Sequence, residues 1–181
     1  MAQNQKDIRY CAFLRGVNIR GSVMKMAEVC KVFEKEGMKN VCSVLATGNI
    51  IFTSDKNAAE LKPQLEKTLS KHFSYDAFLF VKTDSEVRRM MEYCPFEKQE
   101  NFHIYVFIAA EGTENILMQE FENSGTSEKE YAVISDDTFY WQVPKGNTLE
   151  SKFGKILGKK NLKDQFTSRN INTFEKIIRK L

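Results

Sequence analysis

Apolar residues in this chain change their spacing in a fixed order, and that order restricts the fold more than any single motif does. A short, mostly apolar run of strand length covers residues 8–14. Met26, Val29, Cys30 and Phe33 follow at the i, i+3, i+4, i+7 spacing of a helix with one buried face, which Gly37 closes as a left-handed cap. Residues 41–46 and 50–53 are rich in β-branched and apolar side chains, and the Gly48-Asn49 pair between them predicts a hairpin turn. Ala58, Leu61, Leu65, Leu69 and Phe73 form a second helical stripe. Pro63 lies inside it and predicts a late start or a helix in two pieces. A strand over residues 77–82 completes the set.

The resulting order, β-α-β-β-α-β, is the ferredoxin-like arrangement, an antiparallel sheet with both helices on one face. Thr83 and Glu86 then give a capping-box pattern for a linking helix that stops near Pro95. The second half repeats the plan. A strand over 102–109 is followed by a helix over 113–121, and a hairpin joins 131–135 to 138–143 around Asp136-Asp137. Leu149, Phe153, Ile156 and Leu157 mark a helix ending at Gly158, and a short strand covers 165–168. A last helix starts near Asn172, with Glu175 three residues on, and buries Phe174, Ile177, Ile178 and Leu181. The fold class is therefore α+β: two tandem ferredoxin-like (βαββαβ) subdomains with antiparallel sheets plus a C-terminal helix. The expected division is 1–83 for the first subdomain, 84–100 for a linking helix and loop, and 101–181 for the second with its helix. No side-chain identity repeats clearly between the halves, so the duplication is one of pattern.

Four segments carry a family resemblance. Phe13-Leu14-Arg15-Gly16-Val17-Asn18, Lys25-Met26-Ala27-Glu28, Thr47-Gly48-Asn49-Ile50-Ile51-Phe52 and Thr167-Ser168-Arg169-Asn170 resemble the bacterial family filed as domain of unknown function 1697. The resemblance implies two α+β subdomains, each similar to a ferredoxin-like unit, and implies no activity. The chain departs from the family's common pattern at Arg20, where a second glycine is usual, and at Lys25, where a proline is.

Composition narrows the function classes. A chain of 181 residues can bury a sizeable core. No run approaches the roughly 18 apolar residues of a membrane span, and the first residues lack the apolar core of a secretory signal. Cys11, Cys30, Cys42 and Cys94 are widely spaced with no CxxC pair, which argues against a zinc or disulfide framework and for a reducing cytoplasm. Up to residue 144 the chain carries 17 basic against 21 acidic residues; from 145 onward it carries 10 against 3. The basic end can meet phosphates or acidic partners, or be the solvated face of lysine-rich helices.

The topology points to a site. In a β-α-β-β-α-β path the loop after the first strand, the tip of the first hairpin and the turn at 72–76 share one edge of the sheet. That rim carries Arg15, Gly16, Asn18, Gly21, Lys25, Thr47, Gly48 and Asn49. Exposed N–H groups near a helix N-terminus, with the charges of Arg15, Arg20 and Lys25, can hold a phosphate or carboxylate. Chain reversal alone also explains these glycines and asparagines. The spacing of Gly16 and Gly21 matches neither a P-loop nor GxGxxG. A second candidate is Thr167, Arg169 and Asn170 with Lys176, either as a phosphate site or as ties that fasten the last helix.

A third is aromatic: Tyr105, Phe107, Phe139, Tyr140 and Trp141 on neighbouring strands could stack nucleic-acid bases, or be buried against another surface. Catalysis finds no constellation. His72 and His103 are the only histidines, no serine elbow is present, and no tight carboxylate pair stands out. The sequence thus implies no cofactor and no metal, and calls for a small anionic molecule as partner, with nucleic acid as the alternative. A homodimer built through an open sheet face is a third reading.

Overall fold

The computed structural model describes residues 7–19, 22–125, 127–159, 162 and 164–181. The chain divides into two compact units, Met1–Arg88 with Glu175–Leu181, and Arg89–Phe174. In the first, β1 (Ile8–Arg15) leads to a two-stranded ribbon, β2 (Asn18–Ile19) and β3 (Ser22–Val23). Then follow α1 (Met26–Lys35), β4 (Lys39–Ser43), β5 (Asn49–Ser54), α2 (Ala58–Phe73) and β6 (Phe78–Thr83). The sheet order is β4-β5-β1-β6, and every pairing is antiparallel. This is the ferredoxin-like order, in which each helix crosses back over the sheet between parallel strands that flank a third.

Burial explains the spacing. Residues Tyr10 to Leu14 of the central strand are at most 2% exposed, so its sequence is nearly continuous in apolar character. Tyr10, Ala12, Leu14, Ile50, Phe52, Leu79 and Val81 form the sheet face of the core, and Val29, Val32, Phe33, Leu61, Leu65 and Leu69 pack onto it from the helices. Helix α2 is continuous, and Pro63 neither delays nor divides it. A reciprocal cap starts this helix: Glu60 N–H donates to Asn57 Oδ1 at 3.0 Å and Asn57 N–H to the Glu60 carboxylate at 3.1 Å. With that start fixed and the leucine stripe buried, the one ladder bond that proline removes is tolerated.

The second unit runs β7 (Phe102–Ala109), α4 (Thr113–Asn123), β8 (Tyr131–Ser135), β9 (Thr138–Pro144), α5 (Lys152–Ile156) and β10 (Phe166–Asn170). Its sheet order, β10-β7-β9-β8, reproduces that of the first unit. The linking helix is α3 (Asp84–Glu92) and the closing helix α6 (Ile171–Ile178), whose last turn counts with the first unit, although sequence order groups the whole helix with the second half. There Arg9 donates to the Lys180 carbonyl. Phe107, Phe139, Trp141, Phe153 and Phe166 make the second core, with Phe153 edge-on to Trp141 at 5.2 Å between ring centroids. Asp136 and Asp137 both take positive φ (49° and 55°), the two-residue hairpin turn whose twist suits the strands. The Asp136 carboxylate receives both arms of the Arg89 guanidinium, which holds its carboxyl below the ordinary aspartate range.

Three boundaries differ from the sequence pattern. Leu149 is 79% exposed and lies outside α5, which starts at Lys152 on a Ser151 cap. β10 extends to Asn170, and Asn170 Oδ1 accepts the Asn172 N–H at 3.0 Å, so α6 begins at Ile171. The first hairpin turn is longer than Gly48-Asn49, as described below.

Gly154 sits where the chain before α5 folds back on the helix: a Cβ there would lie 1.8 Å from the Thr148 carbonyl oxygen. An alanine in place of a helical glycine ordinarily stabilises by roughly 0.5–1 kcal/mol. Gly154→Ala is expected instead to cost about 1–3 kcal/mol in urea unfolding, as overpacked sites do; a raised midpoint would contradict the contact. A second prediction concerns the cap of α3. Burial pushes the Glu86 carboxyl up, but the Thr83 N–H and hydroxyl and the Lys82 ammonium outweigh it and hold it below its ordinary 4.5. Its stabilisation is therefore full above the unfolded-state value and fades as pH falls through the folded one. Glu86→Gln is expected to cost about 1 kcal/mol at neutral pH and to converge on wild type in acid unfolding curves below pH 4.5.

Candidate functional site

One contact joins the two chain reversals at the rim of the first unit. The Leu14 N–H donates to the Gly48 carbonyl at 2.7 Å. Gly48 has φ +74°, and a Cβ there would fall 2.5 Å from Val17 Cγ1 and 2.9 Å from Leu14 Cβ. Only glycine fits both the backbone angle and the space. The β4–β5 turn thus lies directly on the chain that leaves β1. Strand β6 begins at the same edge, since Phe78 pairs with Arg15.

The turn itself spans 44–48, with Leu45 at φ +61° and Val44 N–H donating to the Asn49 carbonyl at 2.8 Å. Asn49 is the first residue of β5 and is fully buried. Its amide donates to the Val44 carbonyl and to Thr47 Oγ1, both at 2.9 Å. Its side chain therefore holds the turn and is withdrawn from solvent. Gly48 is buried as well. Thr47 is exposed, and because its oxygen accepts from Asn49, its own proton remains able to donate.

On the other side of the contact, the loop after β1 is the β2–β3 ribbon, closed by Met24 N–H to the Val17 carbonyl at 2.8 Å. Gly16 leaves β1 at φ +70° and is exposed, as are Asn18 and Lys25; Arg15 is half-buried. Arg20 and Gly21 lie outside the described residues. Tyr75, in the turn between α2 and β6, has a buried hydroxyl with no hydrogen-bond partner among the described residues, and burial pushes it up to about 12.

The family model described as Protein of unknown function (DUF1697) matches residues 8–140, most of the chain. The chain belongs to this family. The matched span contains the rim positions and ends before Thr167. Among solved structures, the conserved bacterial protein SP0830 from Streptococcus pneumoniae is similar over 96% of this chain and 98% of its own, at 22% identity and a TM-score of 0.78, which shows a shared fold. An unknown protein from Galdieria sulphuraria aligns over 91% of this chain and 99% of its own, at 8% identity and a TM-score of 0.28. No curated protein matches.

Thr167 lies in the strand that the sequence places over 165–168, and Arg169 and Asn170 extend it. Thr167 and Arg169 are buried, and the guanidinium donates to Thr167 Oγ1 at 2.7 Å and to the Ser168 carbonyl at 2.8 Å. The Asn170 amide donates to His103 Nδ1 at 3.1 Å, and its oxygen caps α6. Asn170 thus ties the start of the closing helix to the strand, while the bonds of Arg169 to Thr167 and Ser168 lie within the strand; Lys176 is exposed and counts with the other unit. Asn170 alone of the four lines a cleft, of about 250 Å³, with Lys98, Glu100 and Lys145. Phe107, Phe139, Tyr140 and Trp141 are at most 1% exposed, and half-buried Tyr105 stacks on Trp141, so these rings present no open stacking platform.

Among the described residues no cluster of three or more His, Cys, Asp or Glu is arranged for a metal ion, and no helix is long and apolar enough to cross a membrane. Sequence reasoning missed one larger cleft, around Glu130 and Lys152, because its walls come from two irregular loops with no apolar period.

The role of Asn49 has a direct test. Asn49→Ala leaves the Val44 carbonyl and Thr47 without their donor and is expected to lower unfolding stability by about 1–3 kcal/mol. Thr47→Ala removes the exposed acceptor of one of these two bonds, where water can take its place, and is expected to cost less than Asn49→Ala in the same denaturation experiment.

Proposed function

We propose that the chain is a binding protein whose first unit takes a small anionic molecule on the rim between the β1–α1 loop and the β4–β5 turn. The observation that carries this reading is the Leu14–Gly48 contact, which draws two separate loops onto one edge. With the turn seated there, Arg15, Asn18, Lys25 and Thr47 are presented together with the exposed backbone at Gly16. Guanidinium, ammonium and hydroxyl donors around a positive-φ backbone are the groups that recognise phosphate and carboxylate oxygens. Asn49 acts behind them by orienting Thr47. Gly21, on the same loop, belongs to the proposed rim by its place in the sequence. The four cysteines are free thiols, the state that a reducing compartment maintains, and the same reading puts the protein in the cytoplasm.

Thermal unfolding in the presence of inorganic phosphate, nucleotides and sugar phosphates tests the reading. At least one of these anions is expected to raise the melting temperature of wild type, and Arg15→Ala and Lys25→Ala are each expected to reduce that rise. If no anion moves the wild-type melting temperature, the rim is a structural edge and nothing more.

A further inference from the structure

The second unit holds a cleft of about 420 Å³ between the loop after α4 and the segment leading into α5. That volume lies within the roughly 300–1,000 Å³ of small-molecule sites. Ser127, Glu130, Asn147, Glu150, Ser151 and Lys152 line it, and no apolar side chain does so among the described residues. Glu130 is only 9% exposed. Its Oε1 is 3.5 Å from the Ser127 hydroxyl, while Oε2 has no hydrogen-bond partner among the described residues. A carboxylate withdrawn from water with one long hydrogen bond and no cation is unfavourable.

The ammonium that shares the cleft does not relieve it. Lys152 and Glu150 enter no ion pair among the described residues, and Lys152 Nζ instead sits over Gly125, 3.6 Å from where a Cβ would be. The cleft therefore keeps a buried negative charge and an exposed positive one that do not neutralise each other. A phosphate would meet Lys152 but be repelled by Glu130. A divalent cation would meet the carboxylates but be repelled by Lys152. A molecule bearing an ammonium and a carboxylate matches both.

We propose that this cleft binds a free α-amino acid, with Glu130 accepting from its ammonium and Lys152 donating to its carboxylate. The polar lining selects for the charged backbone of the ligand and for a small or polar side chain. The site shares no residue with the rim of the first unit, so either can fail without the other.

Isothermal titration calorimetry on the full chain decides the matter. The probes are each proteinogenic amino acid, the N-acetyl and amide derivatives of the tightest one, and calcium chloride. At least one free amino acid is expected to bind, and N-acetylation or Glu130→Gln to weaken it about tenfold or more. Lys152→Ala is expected to weaken the free acid more than its amide. Glu130→Gln also removes the buried charge, so its melting temperature without ligand is expected to rise, whereas Glu128→Gln, at an exposed neighbouring position, changes neither quantity. The proposal is overturned if no amino acid binds, if calcium binds and the amino acids do not, or if the acetylated form binds as well as the free one. Full affinity in Glu130→Gln, or a lower melting temperature of that variant without ligand, overturns it equally.

Discussion

The hydrogen bond from Leu14 N–H to the Gly48 carbonyl, 2.7 Å long, and the bare Cα that permits it join the two reversals of the first unit. A β-α-β-β-α-β path brings these reversals to the same edge of the sheet but does not require them to touch. Contact needs a residue without a side chain at a positive φ, and Gly48 meets both demands against Leu14 and Val17. The next residue, Asn49, is buried and closes its own turn through two amide hydrogen bonds. The polar character of this stretch is thus divided: Gly48 and Asn49 build the edge, and Thr47, Asn18 and Lys25 face the solvent on it.

The two units reach one strand order with different local devices. In the first, the turn between the paired strands rests on glycine and a buried asparagine. In the second, two consecutive aspartates take positive φ, and Arg89 holds the first of them. The first core is mainly aliphatic with Tyr10, Phe33 and Phe52, while the second is built on stacked and edge-on rings around Trp141. What the halves share is the demand of a central strand flanked on both sides, which buries consecutive positions whatever the side chains are. This explains how the same topology recurs without a recognisable repeat of residues, and how a structure only 22% identical adopts the same fold.

Much of the architecture was legible because burial dictates spacing. The strands at 102–109 and 131–135 coincide with the apolar runs, and the leucines of α2 lie on its buried face. Departures occurred where local chemistry overrode the pattern. Val44 and Leu45 look like strand, yet Leu45 adopts φ +61° and the turn begins there. Leu149 keeps helical spacing with Phe153 but is excluded by the fold-back against Gly154. The convergence of rim loops followed from topology alone. The burial of Asn49 did not, since hydrophilicity marks a turn equally whether its side chain points out or in. The last strand runs past its expected end at residue 168 because the buried Arg169 finds partners in Thr167 Oγ1 and the Ser168 carbonyl. Glu130 gave no signal at all, because isolated glutamates in polar loops are ordinarily solvated.

The contact on which the first unit's edge depends can be observed directly. A nuclear Overhauser spectrum of the labelled chain should show a strong cross-peak between the Gly48 α-protons and a Val17 methyl, since a Cβ at Gly48 would lie 2.5 Å from Val17 Cγ1. That peak is the predicted result. Its absence, with both resonances assigned and sharp, would mean that the two reversals do not meet and that the rim does not exist as a site.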